Sequence, residues 1–145
     1  MTRSPSGSLT PLWLSHHFPE HYDRCAVIAG RHICRRCLVL YPLAFVVMGL
    51  GLAGVHWPPA LDPVALWLLP LPAVVEFVLE HRGVLAYHPV RQVLLTIPLA
   101  LGLGRGFTLY LQDPGSRLFW SVVVVYGGLC LAAALLRRRP EGPSV

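Results

Sequence analysis

The sequence predicts an all-α membrane protein, a four-transmembrane-helix bundle preceded by a short Cys/His-rich N-terminal segment. Three observations carry that expectation. Hydrophobic residues make up 54% of the 145 residues and charged residues only 13%, against roughly 25% charged in an average soluble domain. The mean hydropathy is +0.57. A soluble chain this short must cover much of its surface with polar groups, and a bilayer removes that requirement. Four apolar runs also approach the roughly 20 residues that a helix needs to cross the hydrocarbon core. Finally, the twelve basic residues are all Arg, and they cluster at the ends of the apolar runs. That is the pattern of membrane topology rather than of a groove-binding face, so nucleic acid is not an expected partner.

Taken in order, residues 1–14 form a Ser/Thr/Pro-rich tail expected to be disordered, and residues 15–37 a Cys/His-rich cytoplasmic segment. The four-helix transmembrane domain covers 38–136 and a basic tail 137–145. The first span, 38–55, ends at His56-Trp57-Pro58-Pro59, and the second, 61–79, ends at Glu80-His81-Arg82-Gly83. The third, 90–111, ends at Gln112-Asp113-Pro114-Gly115, and the fourth, 118–136, ends at the arginines 137–139. These punctuating residues are turn formers and helix breakers. A soluble bundle would give each helix a polar face; the fourth run offers only Ser121, Tyr126 and Cys130. No cleavable signal peptide is expected, because the first apolar run begins near Leu38.

Arginine placement sets the orientation. Arg3, Arg24, Arg31, Arg35 and Arg36 precede the first span, Arg82 and Arg91 flank the second loop, and three arginines follow the fourth span. With four spans these ten share one side, leaving Arg105 and Arg117 for the other. Both termini are therefore expected in the cytoplasm. Within the spans, Pro70 and Pro72 should kink the second helix. Gly102 and Gly106 form a small-xxx-small pair that permits close helix packing.

The chemistry concentrates in residues 16–41, which hold three of the four cysteines and four of the seven histidines. Thiolate and imidazole are ligands that zinc prefers, and a C-x-x-C pair can bite one tetrahedral ion. Cys34 and Cys37 have that spacing, and Cys25 lies near enough to fold back over a short loop. One of His16, His17, His21 or His32 can complete the set, with His17 and His32 the leading candidates. Zinc is the expected cofactor.

The alternative is thiol–disulfide exchange through Cys34 and Cys37. Arg35 and Arg36 lie between them and a helix N-terminus is close, both of which favour thiolate. A third reading is a non-enzymatic partner subunit. The stretch His17-Phe18-Pro19-Glu20-His21 also reads as H-x-x-E-H, but Pro19 is tolerated only in a first helical turn. Glu76 and Glu80, an i, i+4 pair near the cytoplasmic end of span two, are the candidate acid/base groups or extra ligands; snorkelling to water is the plainer reading. Arg91 and Arg105 can bind an anionic lipid headgroup, pair with the glutamates, or simply anchor helix ends, and an open metal position beside Glu76 or Glu80 would suit catalysis on a lipid-linked substrate. Cys130 reads as a small buried apolar residue.

The run Arg31-His32-Ile33-Cys34-Arg35-Arg36-Cys37-Leu38-Val39-Leu40-Tyr41-Pro42 resembles a family of small prokaryotic membrane proteins catalogued as domain of unknown function 2085. That family carries a Cys-His pair and then a C-x-R-C stretch entering its first helix; the matching positions are Cys34, Arg36, Cys37 and Tyr41. A looser likeness runs from Tyr87 to Gly104. The family's Cys-His corresponds to His16-His17, so imidazole replaces one thiol, and its Gly is Val39 or absent. The resemblance implies a membrane protein with a Cys/His cluster, and no reaction.

Overall fold

The computed structural model describes Tyr22 and residues 24–136. His16, His17, His21 and both tails lie outside the described residues. Two short strands, β1 (Cys25–Ile28) and β2 (Arg31–Cys34), pair antiparallel. Four helical stretches of membrane-spanning length follow: α1 (Arg35–Leu52); a 3₁₀ turn (Pro59–Leu61) running into α2 (Asp62–Leu68) and α3 (Leu71–His81); α4 (Pro89–Gln112); and α5 (Arg117–Leu135).

The hairpin is local chemistry. Ile28 faces Arg31 across a two-residue loop, and Ala29 and Gly30 both take positive φ, 50° and 73°. A type I′ turn of that kind matches the twist of the flanking strands. The strand register passes straight into α1, whose first residue is Arg35. Cys37 therefore sits in the first turn of the first helix instead of before it.

The second span breaks where expected. Pro70 has no N–H to give, so α2 stops at Leu68 and α3 restarts at Leu71. Pro72 falls in the first turn of α3, where a missing donor costs nothing. The Tyr126 hydroxyl donates to the Trp67 carbonyl just before this break, and the two rings meet edge-on at 5.4 Å. The helix starts are capped: the His88 side chain accepts from Arg91 N–H with Pro89 in the first turn of α4, and the Ser116 hydroxyl accepts from Phe119 N–H at α5.

Helix α1 packs mainly along α4, whereas α5 rests on α3 more than on α4. The α1–α4 approach is closer than the Gly102/Gly106 pair alone implies. A Cβ on Gly104 would lie 2.5 Å from the Ala44 carbonyl oxygen, and one on Gly51 2.5 Å from Thr108 Oγ1. Gly102 and Gly106 instead make room for Pro70 and Phe119. The interior is small and polar: Ala44, Ala73, Ala100, Thr96 and Thr108 are buried together with Asp62, Glu76, Gln92 and Arg105. Large apolar side chains such as Phe45, Val46, Leu68, Val124 and Leu131 point outward. In water that arrangement would expose far more apolar patch than monomers carry. In a bilayer it is what the solvent demands.

Candidate functional site

One end of the bundle gathers the hairpin, the start of α1, the end of α3 and the start of α4. The hairpin register puts Cys25 directly opposite Cys34, where Cα atoms of an antiparallel pair stand about 4.5–5.5 Å apart. Cys34 closes β2 and is the N-cap residue of α1. One helical turn on, the Cys37 side chain hydrogen-bonds with Cys34 and lies within electrostatic range of Cys25 and Arg36. Cys25 and Cys34 are buried, Cys37 half-buried. Arg35 Nε donates to the Cys25 carbonyl at 3.3 Å, tying β1 to the helix start. All four cysteines are free thiols. Among the described residues, no group of three or more His, Cys, Asp or Glu side chains is gathered in a way that would hold a metal ion. Cys25, Cys34 and Cys37 are neighbours along the hairpin and the first helical turn, but among the described residues they do not form such a group. His32 shares its strand face with Cys34 by strand alternation and stacks on Tyr22 with ring centroids 4.0 Å apart. His17 lies outside the described residues.

Beneath the thiols runs a layer of ion pairs. Glu76 is almost fully buried, and each of its oxygens accepts from a different arginine: Arg36 Nη2 at 2.8 Å and Arg91 Nε at 3.0 Å. Arg91 also donates to the Ala86 carbonyl. Glu80 pairs with Arg24, whose guanidinium lies 4.7 Å over the Tyr87 ring. His81 Nδ1 is 2.8 Å from the Phe77 carbonyl, and its ring stacks on Phe77. Arg36 in turn lies over the other side of the cluster, 5.8 Å from the Phe77 centroid. Both candidate carboxylates are thus held by arginines. Of the two arginines considered as their partners, Arg91 is one; Arg105 is not.

Arg105 takes part in a second buried site at the other end, which sequence reasoning did not assemble. Its Nε and Nη2 donate to Asp62 Oδ1 and Oδ2 at 2.8 and 2.7 Å, and Trp57 Nε1 donates to the same Oδ1 at 2.8 Å. Asp62 starts α2 and Arg105 lies in α4, so the pair clamps two spans. The available signal was one acid and one base, each alone in an apolar run, since ionisable groups in spans seek one another. Cys130 is half-buried and lines an apolar groove rather than a packed core.

These features define a helical bundle with four segments long and apolar enough to cross a membrane, polar groups turned inward, and a thiol-bearing hairpin at one mouth. The chain matches no family model, no curated protein and no solved structure.

Proposed function

We propose that this is a four-span membrane protein with both termini in the cytoplasm, and that Cys25, Cys34 and Cys37 hold a transition-metal ion, zinc by ligand preference, at the cytoplasmic mouth. The observation that carries the reading is the register placing Cys25 opposite Cys34, with Cys37 in contact one turn later. His32 or His17 supplies the fourth position. Ion pairing of Glu76 and Glu80 with arginines withholds both carboxylates from acid/base work. That favours a closed structural site, which clamps the hairpin onto α1, over an open catalytic one. The orientation rests on charge: Arg24, Arg31, Arg35, Arg36, Arg82 and Arg91 lie at the thiol end, while the other end has Arg117 and an Arg105 that Asp62 neutralises.

A second reading, thiol–disulfide exchange between Cys34 and Cys37, is favoured by one feature. Cys34 is the N-cap residue of α1 and Cys37 lies in its first turn, with the two side chains in hydrogen-bonding contact, the proximity that disulfide formation requires. Metal content of the detergent-purified protein by plasma mass spectrometry separates the two readings. Close to one zinc per chain, lost in both Cys25→Ser and Cys34→Ser, is the expected result. A metal-free protein whose Cys34 and Cys37 oxidise readily to a disulfide, with Cys25→Ser unaffected, would replace the metal reading by the redox one.

A further inference from the structure

Side chains do not fill the space between α2, α3, α4 and α5. A cavity of about 220 Å³ remains, lined by apolar groups including Leu66, Phe77, Leu103, Phe119 and Val123, with Arg36 as its charged lining residue. Arg36 donates from Nη2 to Glu76, but its Nε is buried without a hydrogen-bond partner. The cavity is a groove rather than a sealed void: Val123 and Gly127 on its rim are exposed, and a Cβ on Gly127 would meet nothing within 4 Å. The opening lies along the middle of α5, on a face clad in exposed apolar residues such as Val124 and Leu131.

We propose that this groove binds one acyl chain of an anionic phospholipid, with the lipid phosphate at Arg36. Three observations identify the occupant. The first is length. The groove runs along α5 from Phe119, two residues into the helix, to Cys130, five residues short of its end, and eleven helical steps of 1.5 Å span roughly 16 Å. That is about half of a hydrocarbon core roughly 30 Å thick, the length of one acyl chain. The second is polarity. A dry apolar slot forfeits dispersion contacts, and in a bilayer the molecule at hand to restore them is a lipid tail. The third is charge. Among the described residues, Arg36 stands at the end of the bundle where Arg24, Arg31, Arg35, Arg36, Arg82 and Arg91 outnumber Glu76 and Glu80, so positive charge is in excess there for an anion. The guanidinium has donors to spare once Glu76 has taken one. A lipid seated there would wedge α5 against α3 and α4 and join the ion-pair layer to the membrane surface. The proposal does not depend on the thiol site.

Native mass spectrometry of the delipidated, detergent-purified protein tests it, with phosphatidylglycerol, phosphatidylcholine of the same acyl chains, and inorganic phosphate added separately. One phosphatidylglycerol per chain is expected, held about tenfold more tightly than phosphatidylcholine, whose phosphate is the same but whose choline cation is repelled by the surplus arginines. Arg36→Gln should weaken both lipids about tenfold, since each offers its phosphate to that guanidinium. Because Arg36 also holds Glu76, a second variant, Gly127→Leu, fills the groove and leaves every ion pair intact; it should lose both lipids while keeping the native thermal midpoint. Equal affinity for the two lipids, full binding by folded Gly127→Leu, or inorganic phosphate binding as tightly as phosphatidylglycerol would each overturn the proposal, the last by making Arg36 a simple anion site.

Discussion

Replacing Arg105 by Met is the sharpest test of what holds the spans together. It removes the guanidinium from which Asp62 accepts two hydrogen bonds, at 2.8 and 2.7 Å. The carboxylate stays buried, its side chain 7% exposed, with only the Trp57 indole still donating to it. Breaking a buried ion pair from one side typically costs about 3–5 kcal/mol, because the partner charge is stranded. A single hydrogen bond between membrane helices averages only about 0.6 kcal/mol, so the two accounts differ by several-fold. Asp62→Asn strands Arg105, whose Nη1 is already buried without a partner, and should cost a similar amount. The double variant Arg105→Met with Asp62→Asn removes both charges, so its loss should be smaller than that of either single variant. Reversible unfolding in mixed detergent micelles, followed by tryptophan fluorescence, reads all three. A loss under about 1 kcal/mol for Arg105→Met, or a double variant whose loss equals the sum of the singles, would refute the claim that this pair clamps α2 to α4.

Two further substitutions probe the rest of the bundle. Gly104→Ala drives a Cβ to 2.5 Å from the Ala44 carbonyl oxygen and 2.7 Å from Val47 Cβ, so overpacking should destabilise by about 1–3 kcal/mol. Gly49→Ala, which meets nothing within 4 Å, should be neutral or slightly stabilising in the same unfolding assay. Glu76→Gln leaves Arg36 and Arg91 facing each other across a neutral amide at a site that is 2% exposed; a loss of about 3 kcal/mol is expected, with near-wild-type unfolding the result that would show the arginines to be solvated independently.

Different parts of the fold were legible in the sequence to different degrees. The four spans were readable because 18 or more apolar residues between breakers admit few other structures. Their boundaries shifted by a few residues, most at the first: α1 begins at Arg35 rather than Leu38, since arginine side chains at a helix end reach water and need not end the helix. The β-hairpin went unforeseen. The spacing of Cys25 and Cys34 reads as a ligand pattern, while the Ala29-Gly30 dipeptide between two short apolar stretches carries the turn signal. The break at Pro70 was legible from proline's missing donor alone. The destination of Glu76 was half legible: that it needed a cation followed from its place in a span, but that Arg36 and Arg91 both supply one did not.

The sequence by itself determined the apolar composition, the number of membrane-length segments and the positions along the chain at which arginines collect, because each depends on composition and order along one chain. Only the tertiary structure decided which charges meet. Asp62 finds Arg105 across 43 positions of sequence, and Glu76 finds Arg36 across 40. Those pairings, the glycine contacts between α1 and α4, and the groove beside Arg36 arise from how helices lean on one another. In a membrane, without a hydrophobic force between spans, that leaning is settled by close packing of small residues and by the partners that buried charges require.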